Sequence, residues 1–120
     1  MRVLADTSVW VDYLRNKRSP ILDRLNLGDV VTHDYVIGEI VLGGISQVKL
    51  AMFNQMRRCR CASHDEVMHL IAERNLAGRG LGYVDSHLLA AALIGRLQLW
   101  TLDRALQQMA SECGCGLAVH

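Results

Sequence analysis

The chain opens on an apolar triplet, Val3-Leu4-Ala5, that runs without polar alternation into Asp6-Thr7-Ser8. A short apolar run with no polar face is the pattern of a strand covered on both sides, as in a parallel sheet. Apolar residues then fall at positions 9, 10, 13 and 14, the spacing of one helix face, with Asp6 or Thr7 placed to cap it. Asn16-Lys17-Arg18-Ser19 makes a basic loop, and Pro20 suits the first turn of a helix over residues 20–25 that Gly28-Asp29 breaks. Val30-Val31-Thr32-His33 predicts a second strand, after which Asp34 caps a helix to Leu42 that Gly43-Gly44 closes.

Residues 45–58 are expected to be helical, with Val48, Met52 and Met56 at i, i+4 and i+8, ending in a basic cluster of Arg57, Arg58 and Arg60. Residues 59–62 predict a short edge strand. Ser63 with Glu66 three positions on is a capping box, opening a helix that carries Val67, Leu70 and Ile71 to about residue 76. A glycine-rich loop at 78–82 leads to an apolar helix over 85–94, a third strand over 97–102, a last helix over 103–112 and a final strand over 117–119. Strands alternating with helices predict an α/β fold, a three-layer α/β/α domain with a mainly parallel central sheet, as a single domain over residues 1–120.

Composition narrows the function. A formal charge of +1 argues against holding nucleic acid by bulk positive charge, while leaving room for a local basic rim. No apolar run approaches the length of a membrane span and the start lacks a signal peptide's apolar core, so a cytoplasmic protein is expected. The four cysteines form two C-x-C pairs, Cys59/Cys61 and Cys113/Cys115, which is not the spacing of the usual structural zinc sites. Free thiols are expected.

Four acids carry the chemistry. Glu39 has Tyr35, Val36, Leu42 and Gly43 as its helical neighbours, and no Lys or Arg occurs between Leu25 and Val48. It therefore reads as a carboxylate within an apolar face with no local cation, either turned out to solvent or toward a distant arginine, or else buried and needing a partner, a proton or a metal. A helix of ten residues covers roughly 16 Å and the strand after it returns about as far, so Asp85 and Asp103 stand at the same edge. Asp6 ends its own strand there, and Glu39 lies in the second turn of a helix that starts there. Helix capping would explain Asp6, Asp85 and Asp103 singly, but four acids at one edge repel one another or recruit cations. Oxygen donors without histidine or cysteine at ligand spacing point to Mg²⁺, with Mn²⁺ as a substitute.

Nearly the whole chain resembles a PIN-domain nuclease, and more narrowly the VapC toxins of bacterial toxin–antitoxin pairs. The resemblance rests on Ala5-Asp6-Thr7-Ser8-Val9-Trp10, on Ile37-Gly38-Glu39-Ile40 followed by Gly43, on residues 80–89 around Asp85, and on Leu99-Trp100-Thr101-Leu102-Asp103. It implies that Asp6, Glu39, Asp85 and Asp103 are a catalytic, metal-binding quartet with Thr7 and Thr101 as nearby hydroxyls. It implies Mg²⁺-dependent endonucleolytic cleavage of RNA, a cognate antitoxin that neutralises the toxin, and a homodimer. Many relatives carry Arg before the last acid, where this chain has Leu102.

An acidic site repels phosphate, so RNA must be held by its rim. Arg15, Lys17, Arg18, Arg79 and Arg104 are the candidate contacts, whereas Arg57, Arg58 and Arg60 read as solvated surface charge. Trp10 and Tyr13 read as core or dimer contacts, and His87 as a packing or solvated residue rather than a general base. Two alternatives remain: a doubly wound Mg²⁺-binding signalling or binding domain, and a catalytically inactive PIN scaffold. The first expects a paired acid after strand one and a late lysine, yet no lysine follows Lys49.

Overall fold

The computed structural model describes residues 2–16 and 19–117. Its centre is β1 (Val3–Ala5), flanked in parallel by β2 (Val30–Val31) and β3 (Gln98–Trp100) in the order β2-β1-β3. Val3 stands opposite Val30 on one side and Gln98 on the other. All three β1 side chains are fully buried, which explains the missing polar alternation. Between β1 and β2 come α1 (Thr7–Arg15) and α2 (Ile21–Leu27). Between β2 and β3 come α3 (Asp34–Leu42), α4 (Gln47–Gln55), α5 (His64–Glu73) and α6 (Tyr83–Gly95), and α7 (Arg104–Glu112) follows β3.

The chain moves outward from β1 to β2, then back past β1 to β3. Right-handed crossovers in opposite directions put their helices on opposite faces, giving the expected three-layer α/β/α arrangement. The reversal occurs at β1, and in such sheets the crevice beyond the strand ends at that point is where ligands bind. Asp6 is the next residue.

Helices form where burial and caps agree. In α1, Val9 and Trp10 are buried, and the Trp10 ring meets Phe53 of α4 edge-on at 4.7 Å, with Tyr13 at 6.1 Å. In α7, Leu106, Met109 and Ala110 form one buried stripe at i, i+3 and i+4. The helix α6 is buried at every position from 86 to 92, so it is a core helix with no amphipathic period. Gly28 ends α2 in the left-handed region at φ 72°, and the Ser63–Glu66 capping box opens α5 as the sequence predicts.

Several boundaries differ from expectation. The cap of α3 is His33 rather than Asp34: the backbone at His33 is still extended, and its Nδ1 accepts the Tyr35 N–H at 2.9 Å. The helix over 45–58 is confined to α4, because Ser46 caps its start and Met56 turns extended. Residues beyond it instead run beside β2, where the Thr32 N–H donates to Arg57 O and Thr32 O accepts from Cys59, each at 2.9 Å. Only an isolated Thr32–Arg58 bridge results, and residues 59–62 form no strand. The strands β2 and β3 are shorter than predicted, α2 runs two residues further, and α5 stops before Asn75, whose φ is 53°. The final strand is reduced to a bridge between Leu99 and Gly116, with residues 118 and 119 outside the described residues.

All four cysteines are free. Burial pushes the thiols of Cys59 and Cys115 up to about 11. Among the described residues no helix is long and apolar enough to cross a membrane.

Candidate active site

The four acids arrive on four separate segments. Asp6 leaves β1 with its N–H still donating to Trp100 O at 2.9 Å, then caps α1. Its carboxylate is 5 % exposed and fully engaged. Oδ1 accepts from Ser8 Oγ and from the Val9 N–H at 3.3 Å, and Oδ2 accepts from Thr101 Oγ1 at 2.6 Å. These bonds favour the charged form, yet burial outweighs them and pushes the Asp6 pKa up.

Asp103 caps α7, accepting the Leu106 N–H at 2.9 Å, while its own N–H donates to Thr101 Oγ1 at 3.0 Å. One buried hydroxyl therefore joins Asp6 to the start of the helix that presents Asp103. Asp85, in the first turn of α6, reaches back toward the Gly82 N–H at 3.4 Å. Burial pushes its pKa up, and the negative charges of Asp103, Asp6 and Glu39 push in the same direction. A single carboxyl thus feels the other three, which brings the quartet to one edge of the sheet.

Of the two readings open for Glu39, the structure shows the solvent-facing one: it is exposed at the edge of a face on which Val36 is buried and Leu42 is 88 % exposed. Its partner is a hydroxyl, Thr7 Oγ1, donating to Oε1 at 2.7 Å. Glu39 also borders a cleft of about 280 Å³ lined by Val11, Leu14, Arg15, Ile40, Gly43 and Gly44.

Among the described residues, no cation forms an ion pair with any of the four acids. Nor do three acidic, histidine or cysteine side chains close on one point as a metal cage. The fit to a divalent cation rests on the donors themselves, hard carboxylate and hydroxyl oxygens whose mutual repulsion nothing local relieves.

Ser8 is a residue that sequence reasoning missed. Its hydroxyl donates to Asp6 and accepts the Leu102 N–H at 2.9 Å, a second tie between the first and last strands. Its position two residues after a strand-ending acid was the available signal. Of the basic candidates, Arg15 lines the cleft beside Glu39, and Arg104 is the exposed first residue of α7. Arg79 is bound to Glu112 at 2.7 Å, at the opposite end of α7 from Asp103. Lys17 and Arg18 lie outside the described residues. Arg58 and Arg60 pair with Asp34 and Glu66 at 3.1 and 2.8 Å, beside β2 and the start of α5.

Known proteins resemble this chain over most of its length. The PIN domain family matches residues 3–112. Ribonuclease VapC32 of Mycobacterium tuberculosis, in both the CDC 1551 / Oshkosh and the ATCC 25618 / H37Rv strains, is 40 % identical over 119 residues, spanning 97 % of this chain and 96 % of that protein. The crystal structure of PAE2754 from Pyrobaculum aerophilum matches with a TM-score of 0.57 over 90 % of this chain and 85 % of that one. At 18 % identity that likeness concerns the fold alone.

Proposed function

This chain belongs to the PIN domain family, in its VapC-type branch, and on that premise we propose that it is a Mg²⁺-dependent endoribonuclease toxin held in check by a cognate antitoxin. The observation that carries the proposal is the bonded set at one edge, Thr101 joining Asp6 to Asp103 and Thr7 holding Glu39, with Asp85 raised by their charges and, among the described residues, no cation paired with any of the four.

Asp6 and Asp103, with Glu39 and Asp85, would hold the ion, Mg²⁺ or in its place Mn²⁺. When bound, a divalent ion there polarises the scissile phosphate and makes water a stronger acid. The protein's own part is positional. Thr101 and Ser8 donate to Asp6 and keep both oxygens oriented while burial disfavours its charge. Thr7 fixes Glu39 on the facing helix. Arg15 and Arg104 stand beside the acids, where a cation can draw the RNA backbone to a site that would otherwise repel it.

The cleft between α1 and α3 supports the antitoxin reading. Its lining combines apolar Val11, Leu14 and Ile40 with the charges of Glu39 and Arg15, so it suits a largely apolar segment of a partner carrying a basic side chain for Glu39. Homodimerisation through exposed apolar helix faces belongs to the same proposal, and a monomeric mass by light scattering would count against it.

The deciding experiment incubates RNA with the protein in Mg²⁺, in EDTA, and with Asp6→Asn. Cleavage is expected in Mg²⁺ alone, falling at least about a hundredfold for the variant. Cleavage that survives both EDTA and the substitution refutes metal-assisted hydrolysis, and its absence throughout favours an inactive scaffold.

A further inference from the structure

Beside the acids lies a cluster of rings that the nuclease chemistry leaves unused. Tyr35 sits one turn before Glu39 on α3, and Tyr83 and His87 lie one turn apart on α6, on the helix face away from Asp85. His87 is 3 % exposed, and neither ring nitrogen has a hydrogen-bond partner. The two tyrosines meet it edge-on from either helix, with ring centroids at 4.9 Å for Tyr35 and 4.6 Å for Tyr83. Both are surface-facing, 40 % and 50 % exposed respectively.

Burying an imidazole with both nitrogens unpaired costs free energy unless a ligand or water completes them. Exposed aromatic faces over such a group are unusual for packing alone. They are what a single-stranded nucleic acid uses, because every base has a face to stack and an edge to hydrogen-bond. The surroundings fit a polyanion. Arg58, bound to Asp34 next to Tyr35, and Arg60, bound to Glu66 near the start of α5, flank the cluster with exposed guanidinium groups. His64, the first residue of α5, bonds the Tyr83 hydroxyl at 2.8 Å and holds that ring in place.

On the nuclease reading above, we infer that Tyr35, Tyr83 and His87 form a nucleobase subsite that stacks and reads one unpaired base of the strand being cut. The tyrosines supply the stacking faces, and His87, whose nitrogens they cover in the free protein, supplies the edge contact when a tyrosine ring turns aside onto the base. Arg58 and Arg60 then belong to the RNA surface rather than to solvent alone, on the side of the site opposite Arg104.

The test is single-turnover cleavage, in Mg²⁺, of single-stranded oligoribonucleotides carrying one abasic ribose moved stepwise along the strand. For the wild-type chain one position is expected to slow cleavage by roughly tenfold when its base is removed. In a Tyr35→Leu/Tyr83→Leu variant the intact strand is expected to be as slow, and the abasic penalty at that position to vanish. His87→Phe, which keeps the packing, is expected to cleave but to lose preference among uridylate, cytidylate and adenylate strands. Tyr83→Leu alone serves if the double variant does not fold. An abasic penalty unchanged in the tyrosine variant places base recognition elsewhere and overturns the inference. So does a variant as fast as wild type, which would leave this surface to another protein. A wild-type chain that cleaves no RNA overturns the nuclease reading itself.

Discussion

Thr101→Val removes one hydroxyl from the middle of the acidic site and keeps the side chain's shape. Two bonds go with it: the donation to Asp6 Oδ2 at 2.6 Å and the acceptance of the Asp103 N–H at 3.0 Å. The first serves a buried, ionised acceptor, for which such bonds contribute about 1.5–3 kcal/mol, and the second is a neutral bond of about 1 kcal/mol. Together the loss is about 3 kcal/mol, or near 12 °C in Tm at about 4 °C per kcal/mol for a chain this long. The loss depends on pH. Asp6 already has a folded pKa above its ordinary 3.8, and removing the Thr101 donor raises it further. The cost is therefore full above the variant's folded pKa and falls away as the pH drops through the wild-type folded value, below which Asp6 is protonated in both proteins. Urea denaturation of both proteins in EDTA, near pH 4 and at pH 7, measures it. A deficit of about 3 kcal/mol at neutral pH is expected to shrink toward about 1 kcal/mol in acid. The same deficit at both pH values, or none at pH 7, would show that Thr101 does not support an ionised Asp6.

Asp85→Asn is expected to stabilise the metal-free chain while lowering cleavage. The Asp85 pKa is raised by burial and by the charges of Asp103, Asp6 and Glu39, so its ionisation costs stability as pH rises from 3.8 through the folded value. The Tm advantage of the variant in EDTA is absent in acid and full at neutral pH; a neutral-pH Tm at or below wild type would sink this account. Cys59 and Cys115, with thiols pushed up to about 11, are expected to resist alkylation near pH 8 in the native protein and to react once it is unfolded. Peptide mapping by mass spectrometry after timed labelling checks this, and rapid native labelling of both would contradict their burial.

Asp6 and Asp103 were legible because each stands where a strand meets a helix, and Asp85 because it opens the helix that leads into β3; element lengths in ångströms place the three at one edge. Glu39 was legible as an acid without a cation, but whether it was buried or turned to solvent stayed open. Apolar neighbours at i±3 and i±4 mark a face without saying whether anything covers it. The ties that hold the site, Ser8 to Leu102 and Thr101 to Asp6, depend on which strands are adjacent, and no local period encodes that. The position of Arg58 and Arg60 escaped for the same reason: the chain after α4 returns along β2 through Thr32. His33 as a cap was missed because an imidazole nitrogen seldom takes that place.

The hydroxyl of Ser8 and the carboxylate of Asp6 are closed by groups 94 and 95 positions away along the chain. A polypeptide emerging residue by residue from the ribosome therefore carries its first acid long before the groups that orient it exist. Both ties wait for the segment just after the last strand, so a chain cut before Thr101 lacks the groups that orient its first acid.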